Sequence, residues 1–185
     1  MHTTLLNRPL IGLAAKARAG KTTVAEILVN QYSYGQVSFA EPIRQFVSDL
    51  TGISRADLEG PLKEVVVPWI GKSPRELMQT LGTEWGREMV TERLWILKAM
   101  KSVEDLAWGR IPSVISDVRF DNEADTIRAH GGVVLHLVRP DALHVASHTS
   151  EDGVRRHSTD HTIVNDGTLE DLIGKVHWFM NDLRL

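Results

Sequence analysis

The sequence contains no cysteine among its 185 residues. This absence excludes a disulfide framework, a thiolate nucleophile and a cysteine-ligated zinc site. No apolar run approaches the roughly 20 residues that a membrane-spanning helix needs. The first residues also lack a cationic segment followed by an apolar stretch, which a secretory signal would require. We therefore expect a cytoplasmic protein without a membrane partner.

A strong charge imbalance is missing too, since 21 basic and 24 acidic residues give a net charge of -3. This balance gives no general attraction to nucleic acid or to an anionic membrane, so any basic site must be local. The chain shows no internal repeat and no low-complexity segment. Its length and its 42% hydrophobic content suit a single globular domain.

Short apolar runs alternate with helical patterns along the chain. Strands are predicted at 9–14, 37–39, 111–117, 133–140 and 161–165. Helices are predicted at 20–32, 40–52, 73–100 (two helices, divided near 90–92), 121–132 and from Thr168 onward. This order is typical of a three-layer α/β fold, in which helices cover both faces of a parallel sheet of about five strands. Ligands bind such a sheet at the carboxyl ends of its strands.

Residues 15–22 match the phosphate-loop pattern, with alanine in place of its first glycine: Ala-x-x-x-x-Gly-Lys-Thr. The match falls between a predicted strand and a predicted helix. A loop in this position can direct backbone N–H groups at phosphate oxygens, next to the partly positive end of the helix. The alternative is the plain start of an alanine-rich helix.

Each residue of this loop has an expected role. Gly20 allows a close backbone approach, Lys21 bridges the terminal phosphates, and the Thr22 hydroxyl binds Mg²⁺. Small side chains keep the interior of the loop open, and they belong to Ala15, Ala17 and Ala19.

Asp117 ends the third predicted strand, where an acidic residue can hold Mg²⁺ directly or through water. Its alternative role, which is compatible with the first, is to cap the next helix. Five arginines follow predicted strands or lie in the central helical segment: Arg44, Arg75, Arg87, Arg119 and Arg139. Each alone is typical of a surface ion pair, but together they indicate a second phosphate site.

A guanine-reading segment and the motifs of a protein kinase are both absent, which leaves a small phosphotransferase or an ATPase-like module. Over most of its length the sequence resembles the phage-type deoxynucleoside monophosphate kinases, a branch of the nucleoside monophosphate kinase fold. The resemblance is carried by "SFAEPIR", "RELMQTLGTEWGRE", "DVRFDNEADTIRAHGG", "SHTSE" and "IVNDGTLEDL". The family usually has proline where this chain has Asp121, so the turn after Phe120 is expected to differ slightly.

The resemblance implies phosphorylation of a deoxynucleoside monophosphate by ATP with Mg²⁺, without a stable nucleic acid partner. It implies an ATP site formed by Gly20, Lys21, Thr22 and Thr23, with the adenine near Asn165 and Gly167. It also implies an acceptor region in a helical insertion at about 41–110, within a single domain whose core is 9–40 and 111–185. The residues implied to bind the acceptor are Arg44, Arg75, Gln79, Trp85, Arg87 and Asn122. The resemblance leans toward a homodimer, and for a phage-encoded chain the expected location is the host cytoplasm.

The chemistry of such an acceptor requires no general base, because its phosphate oxygen is already ionised near neutral pH. Positioning and charge stabilisation would supply the catalysis, from Lys21, Arg119, Arg139 and the Mg²⁺ near Asp117. Water must be excluded, and the polar segment at about 140–160 is the predicted lid.

Three other interpretations stay open. A related small-molecule kinase, such as a dephospho-coenzyme A kinase, or a nucleotide-dependent switch protein would share the phosphate loop. Two histidine pairs could bind zinc: His144 with His148, and His157 with His161.

Of the five tryptophans, four are expected in the core or at a dimer contact rather than on a nucleic-acid surface.

Overall fold

The protein is described by a computed structural model that covers residues 8–16, 18–140 and 153–183. Five parallel strands form one sheet in the order β2-β3-β1-β4-β5. They are β1 (Ile11–Ala15), β2 (Gly35–Val37), β3 (Ser113–Val118), β4 (Val133–Val138) and β5 (His161–Val164). The predicted α/β fold with a five-stranded parallel sheet is confirmed.

Seven α-helices and one π-helix accompany these strands in the described ranges. The helices are α1 (Lys21–Tyr32), α2 (Glu41–Thr51), α3 (Arg55–Glu59), α4 (Pro74–Gln79), the π-helix (Thr80–Val90), α5 (Leu94–Trp108), α6 (Asp121–Ala129) and α7 (Leu169–Asp182). Within the described residues, no helix is long and apolar enough to cross a membrane. The chain divides into a sheet unit, from Met1–Ser38 and Met100–Leu185, and a helical unit, Phe39–Ala99. The predicted bounds of a core and a helical insertion stay predictions.

Alternate residues of β1 show that helices cover both faces of the sheet. Ile11 and Leu13 are fully buried in a core cluster with residues of α1 and α7. Gly12 points to the other face, where an added Cβ would lie 2.5 Å from Ile127 Cδ1 of α6. Because successive strand residues face opposite sides, α6 covers one face while α1 and α7 cover the other.

The second strand begins two residues earlier than the predicted 37–39. Gly35 N donates to Pro112 O at 2.8 Å, which fixes the start of the pairing with β3. Gly35 also lies against Leu106, whose Cδ1 would be 2.7 Å from a Cβ at this position. Phe39 is buried but lies beyond the strand. The apolar character of residues 37–39 therefore indicates that they are buried, but it does not mark the bounds of the strand.

The helical unit contains an amphipathic α2 with an incomplete apolar contact. Helical spacing in the sequence predicts one apolar face from Ile43, Phe46, Val47 and Leu50, but Ile43 and Val47 are in the core while Phe46 and Leu50 are 52% and 42% exposed. Gly52 ends the helix in a left-handed conformation, the role that glycine at this position predicts. At α4 the sequence Ser-Pro-Arg-Glu predicts a serine cap and a first-turn proline, and both are present, because Ser73 accepts from Glu76 N and Pro74 follows it.

The segment after α4 continues as a π-helix because a tryptophan occupies the space beside it. Trp95 Nε1 donates to Gly82 O at 2.7 Å. A Cβ at Gly86 would lie 2.6 Å from the Trp95 ring, so only glycine leaves room for the indole. A side chain that takes one carbonyl of the ladder is a recognised cause of irregular helix. The predicted boundary near 90–92 is confirmed, since the π-helix ends at Val90 and α5 begins at Leu94.

Asp160, just before β5, joins two elements of the sheet unit. Its side chain is 2% exposed and forms two hydrogen bonds with Arg128 of α6, at 2.9 and 2.7 Å. His136 of β4 lies 2.9 Å from the same carboxylate, and His157 N donates to it. Burial opposes ionisation, but these partners outweigh it and lower the pKa of Asp160 to about 2.

This network predicts a defined loss of stability in Asp160→Asn. A pKa lowered from 3.8 to about 2 corresponds to about 2 kcal/mol of unfolding free energy at pH 7. The contribution is complete above the unfolded pKa and is lost as the pH falls toward the folded one. In denaturant titrations the variant should therefore be less stable at pH 7, and the difference should shrink below about pH 4.

Asp125→Asn is the matched control. Asp125 contacts the same arginine at 2.7 Å but its side chain is 65% exposed, so its removal should change stability by less than about 1 kcal/mol. Equal losses of unfolding free energy in the two variants would show that the buried carboxylate of Asp160 contributes no more to stability than the exposed carboxylate of Asp125.

Candidate functional site

All five strands are parallel, so their carboxyl ends meet at one edge of the sheet, here called the carboxyl edge. The phosphate loop follows β1, and the β1 strand lies between β3 and β4. Ser38, Arg139 and Asn165 directly follow three of the other strands, and Asp117 is the next-to-last residue of β3. The fold of the sheet unit therefore brings the phosphate loop and these four residues to the same edge.

The phosphate loop ends in a residue that adopts a left-handed backbone. Gly20 is the N-cap of α1 with φ 102° and ψ 16°, and no side chain caps this helix end. The first turn of α1 also carries no acidic residue. The N–H groups of this turn carry the partial positive charge of the helix end, which favours an anion. Ala17 lies outside the described residues.

Lys21, the first residue of α1, points back over the loop. Its Nζ donates to Ala15 O at 2.8 Å, at the end of β1. The ammonium group thus lies beside the loop that it is predicted to serve. Thr22 is exposed on the first turn, and Thr23 beside it is half-buried.

Asn165 at the end of β5 contacts the phosphate loop. Its side chain is buried, and Nδ2 donates to Ala19 O at 3.1 Å. The backbone N of Asn165 donates to Val138 O at 2.7 Å, which extends the pairing with β4 by one residue. The contact between Asn165 and Ala19 joins residues 146 positions apart, and only the position of Asn165 at a strand end pointed to it in the sequence.

Gly167 lies in the turn that leads into α7. A Cβ there would be 2.4 Å from Asp171 Oδ2, the carboxylate that accepts from Thr168 N. Thr168 and Asp171 form a capping box, which begins α7 at Leu169. Gly167 is therefore required by the cap, and its predicted contact with the nucleotide stays a prediction.

Asp117 has a specific partner from the neighbouring strand end. Ser38 Oγ donates to Asp117 Oδ2 at 2.6 Å, and Ser38 is 7% exposed. Asp117 is the fifth residue of β3, one position before the end, and Asp121, not Asp117, begins α6. The capping alternative for Asp117 is thus not what this structure shows, since α6 starts four residues later.

A buried carboxylate shapes the turn after β3. Glu123 is 2% exposed and accepts from Arg119 N at 2.8 Å and from Phe120 N at 3.2 Å. These bonds fix the backbone from which the exposed Arg119 side chain extends. Asn122 is half-buried, and its Oδ1 is buried without a hydrogen-bond partner among the described residues. Glu123 was missed in the sequence because a lone glutamate in a helix is usually solvated.

Asp121 occupies the first position of α6, where proline would also fit. Its carboxylate accepts from Arg155 N at 2.8 Å and from Arg155 Nε at 2.7 Å. These two hydrogen bonds lower the pKa of Asp121. Aspartate at this position, where the family usually has proline, thus forms an ion pair with Arg155, which precedes β5.

The predicted lid falls largely outside the described residues. Arg139 directly follows β4 and is exposed, and the description resumes at Gly153. His144 and His148 lie in the part that is not described. His161 lies at the start of β5, where its ring packs against Phe179 with centroids 5.1 Å apart. Within the described residues, no group of three potential metal ligands occurs.

The predicted acceptor residues of the helical unit include two arginines that pair with carboxylates. Arg44 Nε lies 3.0 Å from Glu59 Oε1, and Arg75 pairs with Glu64. Arg87 is half-buried in the π-helix, and Gln79 is exposed at the end of α4. The two ion pairs hold Arg44 and Arg75 in place without an acceptor.

Trp85 borders an apolar cavity of about 610 Å³ in the helical unit. Its ring is 44% exposed and lies 6.3 Å from the Trp95 ring at a tilt of 49°. The cavity is lined by Pro42, Phe46, Leu81, Trp85, Leu94, Trp95 and Lys98. Of the five tryptophans only Trp95 is buried, so the expectation of a core or interface position is met in the core by Trp95 alone, and an interface role for the others stays a prediction.

The backbone of Gly20 predicts a strong effect of Gly20→Ala. Alanine at φ 102° would be strained, and its Cβ would lie 2.8 Å from Asn165 Nδ2. The strain should lower the unfolding free energy by about 1–3 kcal/mol and weaken ATP binding, as measured by calorimetry. Gly174→Ala is the control, because that glycine lies inside α7 with no atom within 4 Å of the added Cβ. It should instead stabilise the protein by about 0.5–1 kcal/mol, and a similar gain in Gly20→Ala would contradict the prediction.

The chain is similar in sequence to several known proteins. The family model for deoxynucleotide monophosphate kinase matches residues 62–176, which is more than half of the chain. A protein of Acanthamoeba polyphaga mimivirus, provisionally named a deoxynucleotide monophosphate kinase, is 30% identical over 185 residues, with 90% of this chain and 93% of that protein covered. The deoxynucleotide monophosphate kinase of Enterobacteria phage T4 is 35% identical over 105 residues, with 56% of this chain and 44% of that protein covered. The match thus spans less than half of the T4 protein.

Solved structures show the same fold at low sequence identity. Dephospho-CoA kinase from Campylobacter jejuni aligns with a TM-score of 0.51 and 14% identity, over 94% of this chain and 96% of that chain. TT1252 from Thermus thermophilus aligns with a TM-score of 0.53 and 18% identity, over 96% and 98%. These likenesses concern the fold alone. The family match and the mimivirus relative, in contrast, cover most of the sequence, and by them the chain belongs to the deoxynucleotide monophosphate kinase family.

Proposed function

We propose that this protein transfers the γ-phosphate of ATP to a deoxynucleoside 5′-monophosphate and releases ADP and the diphosphate. The observation that carries the proposal is the uncapped, left-handed N-terminus of α1 behind the phosphate-loop sequence, in a chain of this family. A related small-molecule kinase or a switch protein would share the loop, but neither accounts for the family match.

The phosphates of ATP would be bound by the loop and by the first turn of α1. Gly20 lets the backbone approach, and the N–H groups of Lys21, Thr22 and Thr23 carry the positive end of the helix. Lys21 would exchange its bond to Ala15 O for one to a phosphate oxygen. The adenine is proposed to lie near the turn of Asn165 and Gly167.

The donor set at the carboxyl edge fits Mg²⁺. Thr22 and Asp117 offer only oxygen atoms, which this hard cation prefers, and Ser38 holds one oxygen of Asp117 in place. When bound, Mg²⁺ would neutralise charge on the transferred phosphate. Asp117 would act on the metal directly or through water.

The acceptor monophosphate would be bound by arginines, which match phosphate geometry with paired N–H donors. Arg44, Arg75 and Arg87 are the proposed ligands in the helical unit, and Glu59 and Glu64 hold the first two in position. The base would occupy the apolar cavity beside Trp85, and Gln79 would form a hydrogen bond with it. Arg119, Arg139 and Asn122 would act where the phosphate is transferred.

The reaction itself needs no residue that removes a proton, because the attacking phosphate oxygen is ionised at neutral pH. The residues of this chain would position the two nucleotides and offset the charge that develops during transfer. The segment at about 140–160 is proposed to exclude water and so prevent hydrolysis of ATP. A homodimer, a cytoplasmic location and the lack of a nucleic acid partner stay predictions.

The first test is ADP production from Mg·ATP with dTMP, dGMP, dCMP or dAMP, and with dephospho-coenzyme A as a rival acceptor. We expect a diphosphate from at least one deoxynucleotide, identified by chromatography. Lys21→Ala should reduce transfer by at least about 100-fold, because it removes a charge that acts on the transferred phosphate. The variant should unfold at nearly the wild-type temperature.

Two outcomes would contradict the proposal. Phosphorylation of dephospho-coenzyme A alone would assign the other kinase activity. Binding of ATP by folded protein without any transfer to these acceptors would favour the switch interpretation.

Arg87→Ala tests the acceptor region separately. If Arg87 binds the acceptor phosphate, the KM for the deoxynucleotide should rise about tenfold or more while the KM for ATP changes little. Arg93→Ala removes the same charge from an exposed residue of the same unit and is the control. Equal effects on the two KM values would remove Arg87 from the acceptor site.

A further inference from the structure

We infer that Asn165 is a positioning residue for the phosphate loop, and that its amide acts through the Ala19–Gly20 peptide on the binding of the phosphates rather than on the base. The inference deepens the proposed function, on which it rests, by giving Asn165 a different task from the one that the family resemblance implies. It depends on three contacts of the sheet unit.

The first contact is the hydrogen bond from Asn165 Nδ2 to Ala19 O at 3.1 Å. Ala19 O and Gly20 N belong to the same peptide group. In a trans peptide the carbonyl and the N–H point in opposite directions. By holding the carbonyl toward β5, Asn165 therefore turns the Gly20 N–H away from β5, to the other side of the peptide plane. A phosphate oxygen would accept a hydrogen bond from this N–H, so phosphate binding depends on how the N–H is oriented.

The second contact is steric. The missing Cβ of Gly20 would lie 2.8 Å from Asn165 Nδ2. The amide thus fills the space beside the left-handed residue, and the peptide has little room to rotate while Asn165 is present. Loop peptides are among the most easily reoriented groups in a protein, so a fixed one lowers the entropy lost when the nucleotide binds.

The third contact makes Asn165 a rigid support. Its side chain is 8% exposed, and its backbone N donates to Val138 O at 2.7 Å, directly after β5. The side-chain amide of Asn165 is buried and its NH2 group already donates to a carbonyl. It is therefore less able to form a hydrogen bond with an adenine. Burial also strengthens the bond to Ala19, because water cannot compete for either partner.

Asn165→Leu tests the inference, since leucine has nearly the same branched shape but cannot donate a hydrogen bond. The measurement is calorimetric binding of Mg·ATP and of Mg·tripolyphosphate, which has the phosphates without the base. We expect both affinities to fall by a similar factor of about ten, the effect of one hydrogen bond. Asn181→Leu, a change of the same type at an exposed position of α7, should leave both unchanged.

Several results would overturn the inference. A fall in ATP affinity with unchanged tripolyphosphate affinity would place Asn165 at the base, and no change in either would deny it a role. If Asn165→Leu does not fold, Asn165→Ser removes the same donor without added bulk and is read in the same way. In both variants the KM for the acceptor should stay near the wild-type value.

These measurements are independent of the proposed transfer, because no acceptor is present in the binding experiments. A wild-type protein that binds both ligands but phosphorylates no deoxynucleotide would refute the proposed function and leave the role of Asn165 to be decided by its variants. A wild-type protein that binds neither ligand would refute the phosphate-loop assignment and this inference together.

Discussion

The left-handed backbone at Gly20 is the constraint on which the candidate site depends. A phosphate loop works only if its N–H groups face inward, and the turn that achieves this has a φ of 102°, which side chains tolerate poorly. Gly20 has no Cβ that this conformation would strain, and α1 begins behind it without a side-chain cap. In the loop before it, small side chains at Ala15, Ala17 and Ala19 alternate with Lys16 and Arg18.

The order of the strands gives this turn its surroundings. Because β1 lies between β3 and β4, the loop that follows it has strand ends on each side. One neighbouring end supplies Asp117, which Ser38 holds from β2, and the other side supplies Arg139 and Asn165. Acidic, basic and amide groups from distant parts of the chain thus reach one edge, because each lies at or directly after the end of a strand.

The sequence was sufficient for features that depend on local patterns. The strand, loop and helix around residues 15–22, the Ser73 cap and the Gly52 stop are each specified within a few neighbouring residues. Contacts between distant residues left no such pattern. Asn165 and Ala19 are 146 positions apart, and Ser38 and Asp117 are 79 apart, so their pairing follows from the sheet order and not from periodicity.

The remaining differences between the predicted and the observed structure arise from which residues are buried. The π-helix after α4 depends on where the Trp95 indole lies, and the limits of β2 depend on Pro112 and Leu106. The spacing of apolar residues predicted that Phe46 would be covered, whereas it borders a cavity and remains exposed. An apolar residue needed by a ligand site has the same letter as one needed by the core, so the sequence alone does not distinguish them.

The carboxylates at the carboxyl edge are consistent with an acceptor that brings its own charged oxygen. A kinase that phosphorylates a hydroxyl group benefits from a side chain that takes up the proton. Glu123 is buried and accepts two backbone N–H groups, and Asp117 accepts the Ser38 hydroxyl, so both have fixed structural partners. A phosphate acceptor needs neither as a base. The demand then shifts to cations, which the proposed function assigns to arginines, the residue type that matches phosphate geometry best.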